Sequence, residues 1–174
     1  MASSSESGED GKSVLDLLED WYHVPALLVV VATMLWIRLQ SYDNFVRGGE
    51  ILFSGNDAWY HLREVRYTVR NWPMNIPFDP WTYFPYGTSV GQFGTLYDQL
   101  IATAALVVGL GGPGETLVAE TLLVAPAVFG ALAAVPTYFI GKRLAGRFAG
   151  VVAAVVLALQ PGVFLSRTLV GVAD

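Results

Sequence analysis

Hydrophobic residues are concentrated in four uncharged runs separated by polar segments of very different lengths. The runs at 21–37, 121–140 and 148–165 hold 17, 20 and 18 residues. A helix of about 20 apolar residues crosses a bilayer, so these three runs predict membrane-spanning helices. The run at 99–114 is shorter and ends in glycines. We expect it to form a helix that lies on the membrane or dips into it without crossing.

Two polar segments lie before these later runs. Residues 1–20 are rich in serine and acid and have no apolar period, which predicts a disordered tail. Residues 38–98 are mixed in character and predict a long loop between the first span and the short run. Four prolines exclude a continuous helix from the second half of this loop. They are Pro73, Pro77, Pro80 and Pro85.

One amphipathic helix is predicted inside the loop, at 57–70, where residue types repeat with the 3.6-residue helical period. An apolar face suits acyl chains or protein, a basic face suits phosphate, and a third face carries acids and a histidine. The three faces are Ala58, Leu62, Val65 and Val69; Arg63, Arg66 and Arg70; and Asp57, His61 and Glu64. This pattern is typical of a helix at a membrane surface.

The short loop at 141–147 sets the predicted orientation because it carries Lys142, Arg143 and Arg147 between two spans. Short basic loops stay on the cytoplasmic side of a membrane. The tail at 1–20 is then cytoplasmic and the loop at 38–98 is external, provided that 99–114 does not cross. This topology places Asp57 and Asp174 on the same side of the membrane, the outer one.

Composition agrees with a membrane protein. Of the 174 residues, 53% are hydrophobic and 14% are charged, and the mean hydropathy is +0.47. Cysteine is absent, which excludes disulfides and thiolate metal sites within this sequence. Acids outnumber bases by 15 to 10, so we expect no nucleic-acid partner. The last apolar run reaches Asp174 without a stop signal, and we expect the chain to be the N-terminal portion of a longer protein.

Asp57 and Asp174 each have a structural interpretation when considered alone, and together they suggest a metal site. Alone, Asp57 fits a capping box that begins at Ser54, and Asp174 is a polar residue just beyond a span. Together on one face, two carboxylates would share a hard divalent ion such as Mg²⁺ or Mn²⁺. Two are too few for a complete shell. The other ligands would be water, substrate phosphate or residues beyond 174.

The neighbouring polar residues each have a functional and a structural interpretation. His61 contacts substrate, or it is a structural hydrogen-bonding residue. The arginines of the basic face bind lipid phosphate, or their side chains only reach the membrane interface. Arg167 binds phosphate or forms a structural ion pair. Asp79 is interpreted as a turn residue and Asp98 as a helix-start residue.

Three motifs, in this order, resemble the catalytic subunit of oligosaccharyltransferase in its archaeal form. GNDAWYHLR resembles the first-loop motif, and DPWTYFPYG resembles the aromatic segment that follows it. SRTLVGVAD resembles the second catalytic motif, S-R-x-x-x-G-x-x-D. The resemblance covers roughly 21–174 and implies an all-α, polytopic membrane protein. The chain would be the N-terminal part of a GT-C-type transmembrane domain with a long first external loop.

The resemblance also implies an activity. Such a glycosyltransferase moves an oligosaccharide from a dolichyl-phosphate-type lipid to the Asn of an Asn-X-Ser/Thr sequon, so its partners are that lipid, an acceptor protein and the membrane. Mn²⁺ or Mg²⁺ between Asp57 and Asp174 would stabilise the leaving phosphate. Carboxylates near the acceptor amide would position its nitrogen for attack. The family expects an acid or histidine at position 176, a later third acid and a W-W-D-Y-G motif. None is present here, so the fragment alone is expected to be inactive.

Two rival functions stay open from the sequence. One is another transferase that uses a lipid-phosphate sugar, such as a protein O-mannosyltransferase, although the S-R-x-x-x-G-x-x-D ending argues against it. The other is a transporter or scaffold without catalysis. That rival predicts no metal dependence and no loss of function when Asp57 is replaced by Asn.

Overall fold

The structure is a computed structural model that describes residues 21–160 and 162–172. The predicted disordered tail at 1–20 and the second aspartate, Asp174, lie outside the described residues. Nearly all regular structure in the described part is helical, as expected for an all-α chain, with two hairpins of two-residue strands.

The elements run in the following chain order within the described residues. They are α1 (His23–Leu39), α2 (Tyr42–Phe45), β1 (Val46–Arg47), β2 (Glu50–Ile51), α3 (Asp57–Asn71), β3 (Phe78–Asp79), β4 (Thr88–Ser89), a 3₁₀ turn (Val90–Gln92), α4 (Leu96–Val108), α5 (Glu115–Leu132), α6 (Ala134–Ala158) and α7 (Val163–Arg167). The strands of each hairpin pair antiparallel, Val46 with Ile51 and Phe78 with Ser89.

A helical hairpin forms one layer of the molecule. α5 continues into α6 through Ala133, whose dihedral angles are helical (φ −59°, ψ −19°). The helical dihedrals break at Ala145 and Gly146, and Gly146 has φ 86°. Gly141, before the break, lies against Ala153, beyond the break. A straight helix would separate these two residues by about 18 Å. The chain therefore reverses direction at Gly146.

Two helical stretches of the described chain, His23–Phe45 and Glu115–Ala158, are long and apolar enough to cross a membrane. The reversal at Gly146 divides the second stretch into two arms and falls inside the basic loop predicted at 141–147. Helix bounds differ from the predicted runs. The first arm begins at Glu115 rather than at 121, and α6 ends at Ala158 rather than at 165.

α1 packs along the hairpin of α5 and α6. Val30 and Met34 share a core with Ala134, Tyr138 and Ala154, and the ring of His23 stacks on Tyr138 at 5.8 Å. α1 ends at Leu39 rather than at 37. Since α1 ends beside the middle of α5, the first half of α5 extends beyond it and is available to other elements.

α3 and α4 pack on that first half of α5. Their shared core holds the buried stripe of α3 (Ala58, Leu62 and Val65), Ile101 and Ala102 of α4, and Val118 and Leu122 of α5. The apolar face of α3 thus contacts protein, which was one of the two partners predicted for it. α4 has 13 residues and a length of about 20 Å, which is shorter than the roughly 30 Å core of a bilayer.

Candidate functional site

Asp57 is the first residue of α3 and its side chain is exposed. The helix begins at Asp57 itself, Asn56 is the N-cap, and no side chain caps the helix. The predicted capping box, with Ser54 as the cap, is therefore wrong. The Asp57 side chain has no hydrogen bond or ion pair with another described residue, so its carboxylate oxygens are available to a ligand.

An open cleft of about 640 Å³ lies beside Asp57. Such a volume is in the range of pockets that bind small molecules. Aromatic side chains from three segments form much of its wall: Trp59 and Tyr60 from α3, Trp81 and Tyr83 from the β3–β4 loop, and Phe93 from the segment before α4. An apolar wall around an exposed carboxylate suits an amphipathic ligand.

Arg63 also lines this cleft and fastens the β3–β4 hairpin to α3. Its Nη2 and Nε donate to Asp79 Oδ2 and Oδ1 at 2.6 and 3.3 Å. The Thr82 hydroxyl and the Trp81 backbone N–H donate to the same carboxylate. Burial acts to raise the pKa of Asp79, but these hydrogen bonds and the Arg63 charge outweigh it and hold the pKa below its ordinary value. Asp79 is thus both the predicted turn residue and a buried anchor.

His61 is held in one orientation by Asp98. Its Nδ1 lies 2.8 Å from Asp98 Oδ1, and the carboxyl group is fully buried. The imidazole ring lies edge-on to Tyr60 and Tyr97, with centroids 5.1 and 5.0 Å away. Since the carboxylate accepts a hydrogen bond from Nδ1–H, Nε2 is the nitrogen available to a ligand. Asp98 lies in the first turn of α4, in agreement with the predicted helix-start residue, but its role as the partner of His61 was not expected.

A second cleft, of about 360 Å³, lies on the other side of His61. Tyr97, Pro126 and Phe129 line it together with residues of the C-terminal segment, namely Arg167, Thr168 and Val172. The His61 ring therefore forms part of both clefts, and it connects the cleft of Asp57 to the segment that leads to Asp174.

A backbone hydrogen bond joins Ser54, the residue just before the GNDAWYHLR motif, to Gly171 of the SRTLVGVAD motif. The Ser54 N–H donates to the Gly171 carbonyl at 3.1 Å, and the Gly171 N–H donates to the Leu123 carbonyl at 2.8 Å. Ser54 and Gly171 each precede an aspartate of interest by three residues. Three residues span at most about 11 Å, so the two motifs belong to one region of the molecule.

Arg66 and Arg70 point away from this region. Arg66 Nε lies 2.8 Å from Glu115 Oε2, and Arg70 pairs with the other oxygen of Glu115. Arg66 is about 13 Å further along α3 than Asp57, and neither arginine lines the two clefts that meet at His61. The structure therefore brings Asp57, His61, Arg63 and Arg167 together and separates Arg66 and Arg70 from them. Their binding of substrate stays a prediction.

Glu64 is a buried acid on the same predicted helix face as Asp57 and His61, and no role was predicted for it. Its side chain is fully buried, and no described side chain donates a hydrogen bond to its carboxyl oxygens. Its pKa is raised to about 7, mainly because of burial and also because of the charges of Asp98 and Asp79, while the Ile76 backbone N–H and Arg63 act in the opposite direction. The only signal in the sequence was its spacing from His61, which did not reveal its burial.

The type of ligand atom in the Asp57 cleft, a carboxylate oxygen, suits a hard divalent ion. Asp57 supplies an exposed carboxylate on an open cleft, and carboxylate oxygens are preferred ligands of Mg²⁺ and Mn²⁺. In the part of the chain that the structure describes, no three His, Asp or Glu side chains come together to hold a metal. Further ligands would have to come from outside the described residues, from substrate or from water.

Comparison with protein-family models matches residues 26–174 to the family described as "Oligosaccharyl transferase STT3, N-terminal". Among curated relatives, the chain is 64% identical over 171 residues to the dolichyl-monophosphooligosaccharide–protein glycotransferase AglB of Haloferax volcanii. It is 34% identical over 160 residues to dolichyl-phosphooligosaccharide–protein glycotransferase 3 of Archaeoglobus fulgidus. These alignments cover 98% and 90% of the chain but 16% and 18% of the relatives. The chain thus spans about a sixth of their length.

Solved structures of the Archaeoglobus fulgidus oligosaccharyltransferase have the same fold over this region. One, in complex with an inhibitory peptide and a dolichol-phosphate, superposes with a TM-score of 0.77 at 32% identity, covering 90% of the chain and 18% of the solved chain. A complex with Zn and sulfate gives a TM-score of 0.74 at 33% identity, with 86% and 18% covered. A third was tethered to an acceptor peptide with an NVT sequon, and it gives a TM-score of 0.77 at 32% identity, with 90% and 18% covered.

Proposed function

The chain belongs to the oligosaccharyltransferase STT3 family and matches its N-terminal region, and from this premise we propose that it is the first part of an enzyme of protein N-glycosylation. The enzyme transfers an oligosaccharide from a dolichyl-phosphate-type lipid to Asn in an Asn-X-Ser/Thr sequon. One observation carries the proposal: the Ser54–Gly171 hydrogen bond joins the residue that precedes the GNDAWYHLR motif to the SRTLVGVAD motif, near the Asp57 cleft. The names of the relatives and the dolichol-phosphate and sequon peptide of the solved structures support it.

The proposal includes a polytopic GT-C-type arrangement in the membrane, with the catalytic loops outside the cell. α1 and the two arms of the α5–α6 hairpin are the proposed spans. The reversal at Gly146 lies between Arg143 and Arg147, and a short basic turn of this kind stays in the cytoplasm. α3, α4 and the first half of α5 would then form an external layer that carries the Asp57 cleft.

The proposed cofactor is Mn²⁺ or Mg²⁺, with Asp57 and Asp174 as ligands. When bound, such an ion stabilises the negative charge that develops on the departing lipid phosphate. The carboxylate of Asp57 is exposed and has no ion-pair partner among the described residues, which supports this assignment, as does the Zn complex of the Archaeoglobus fulgidus relative. Residues beyond those described here are required to complete the shell.

The residues of this chain have separate tasks in the proposed reaction. Asp57 accepts a hydrogen bond from the acceptor amide and positions its nitrogen. His61, fixed through Asp98, presents Nε2 to a polar group of the substrate. The aromatic side chains of Trp59, Trp81 and Tyr83 line the cleft and offer apolar contacts to the substrate.

The test uses the full-length protein and a peptide that contains Asn-X-Thr. Asp57→Ala and Asp174→Ala should each lower the Mn²⁺-dependent glycosylation rate by about 100-fold or more, the typical effect of removing one group that stabilises transition-state charge. Asp43→Ala is the matched control because Asp43 is an exposed acid that lines neither cleft. Wild-type rates in both Asp57→Ala and Asp174→Ala would refute the shared-metal site. The family match gives no support to a protein O-mannosyltransferase, a transporter or a scaffold.

A further inference from the structure

The last turn of α1 holds a buried cation. Arg38 is 1% exposed, and its Nε donates to the Thr168 hydroxyl at 2.9 Å while its Nη1 donates to the Met34 carbonyl at 3.1 Å. No carboxylate of the described residues forms an ion pair with it. A buried charge without an opposite charge lowers stability, so this guanidinium requires an explanation other than stability.

Residues of three helices, α1, α5 and α7, pack closely around the contact between Arg38 and Thr168. The guanidinium of Arg38 lies over the Phe164 ring, 5.2 Å from its centroid, and the Thr168 hydroxyl donates to the Phe164 carbonyl at 2.6 Å. α5 contributes Gly130, where an added Cβ would lie 2.5 Å from Thr168 Cβ and 2.8 Å from Arg38 Nε. Only glycine leaves enough space at position 130. α1, α5 and the start of the SRTLVGVAD motif are therefore in close contact at this position.

A second contact fixes the same motif three residues later. Gly171 bonds through its backbone to Leu123 and to Ser54, and its φ of 78° favours glycine. An added Cβ there would lie 2.8 Å from the Phe45 ring. The segment 168–171 is therefore held at both ends, by side-chain contacts at Thr168 and by backbone contacts at Gly171.

We propose that Arg38, acting through Thr168, is a positioning residue that sets the divalent-ion affinity of the catalytic site. The inference rests on the proposed function. Asp174 follows Thr168 by only six residues, so the position and direction of the chain at Thr168 limit where this proposed metal ligand can lie. Arg38 itself lies on the first span and lines neither cleft of the site. Its effect is on the placement of a ligand rather than on the reacting atoms.

The expected size of the effect follows from other metal sites. Loss of a residue that orients a metal ligand typically lowers metal affinity by roughly 10- to 100-fold. Thr168→Val keeps the shape of the side chain and removes the acceptor of Arg38. Thr168→Ser keeps the hydroxyl. Gly130→Ala separates Arg38 from Thr168 without changing any polar group. Affinity should therefore fall in Thr168→Val and Gly130→Ala and be retained in Thr168→Ser.

The experiment measures Mn²⁺ binding to the purified full-length protein by the electron paramagnetic resonance signal of free Mn²⁺, and compares it with the Mn²⁺ concentration that gives half-maximal peptide glycosylation. The variants are Arg38→Gln, Thr168→Val, Thr168→Ser and Gly130→Ala. Arg47→Gln is the control for loss of one cation, since Arg47 is exposed in the first hairpin, and Gly112→Ala is the control for an added Cβ in open space. Thermal melting in detergent reports the folded fraction.

The inference predicts a weaker Mn²⁺ affinity, by roughly 10-fold or more, in folded Thr168→Val and Gly130→Ala. It predicts recovery of the glycosylation rate at high Mn²⁺ and an unchanged KM for the peptide. A purely structural role would lower the folded fraction and leave the Mn²⁺ affinity of the folded protein unchanged, and this result would overturn the inference alone. If Arg38→Gln does not fold, the other two variants decide. A wild-type protein that binds no Mn²⁺, or transfers no glycan, would overturn the metal site and the inference together.

Discussion

Three residues on one face of α3 occupy three different environments. Asp57 is exposed at the start of the helix, His61 is partly buried and bonded to Asp98, and Glu64 is fully buried. The Glu64 carboxyl group loses its hydration on folding, which is the main reason that its pKa rises to about 7. It is therefore protonated in the folded protein at mildly acidic pH, when an exposed glutamate is ionised.

Glu64 gives a prediction about pH and stability. Its pKa is about 7 in the folded protein and near 4.5 when exposed. The folded state binds the additional proton in this window, so the stability that depends on Glu64 is complete below pH 4.5 and decreases as the pH rises towards 7. Glu64→Gln stays neutral throughout and should be more stable than the wild type at pH 8, by up to about 3 kcal/mol.

The measurement is the apparent Tm of the full-length protein in detergent at pH 5 and at pH 8. Glu50→Gln is the control because Glu50 is an exposed acid in the first hairpin. The Tm difference between the two pH values should be smaller in Glu64→Gln than in the wild type. An identical difference in the two proteins would show that Glu64 does not titrate in this range.

At the scale of elements, α3 is held on three sides by contacts of unequal strength. The apolar core with α4 and α5 fixes one side. Arg63 and the buried Asp79 fix the β3–β4 hairpin through paired, charge-assisted hydrogen bonds. Glu115 pairs with Arg66 and Arg70 at an exposed surface, where ion pairs contribute little. The hairpin that walls the Asp57 cleft therefore depends mainly on Arg63.

Replacing Arg63 by Gln should loosen this hairpin. Asp79 would keep its burial and lose its cation, and we expect a loss of about 1–3 kcal/mol, which allows for the partial exposure of Arg63. Arg70→Gln, in the exposed pair with Glu115, should cost less than about 1 kcal/mol. Thermal melting gives the stability change, and limited proteolysis within 77–93 reports release of the hairpin. Equal effects of the two substitutions on both measurements would contradict this ranking.

At the scale of the whole molecule, the position of α4 decides the topology. α4 packs beside α3 and α5 in the proposed external layer and is too short to cross a bilayer without help. If it does not cross, the segments before and after it lie on the same side of the membrane. The basic turn at Gly146 then lies on the opposite side from both.

Cysteine labelling tests this topology, since the sequence contains no cysteine of its own. Ser89→Cys and Thr116→Cys, both at exposed positions, should react with a membrane-impermeant thiol reagent applied to whole cells. Ala145→Cys, at the basic turn, should react only after the membrane is permeabilised. Opposite accessibility of positions 89 and 116 would mean that α4 crosses, and the placement of Asp57 and Asp174 on one face would then be wrong.

Features that depend on neighbouring residues could be predicted from the amino-acid sequence. Apolar runs predicted the helices, although not their ends: α5 begins before its predicted run, and α6 stops before its own. The 3.6-residue period predicted α3 and its buried stripe. Glycine and basic residues at 141–147 predicted the reversal between two helices. The three motifs predicted the family, and the family match confirms it.

Contacts between polar residues depend on tertiary packing and could not be predicted from the sequence. His61 and Asp98 are 37 positions apart, and Arg38 and Thr168 are 130 apart. No local period links such pairs, because they meet only after α1, α3, α4 and α5 have packed. The same packing buried Glu64, left Asp57 exposed and assigned Arg63 to Asp79. Helix formation depends on residues within a few turns, whereas burial and ion pairing depend on segments that folding brings together from distant parts of the chain.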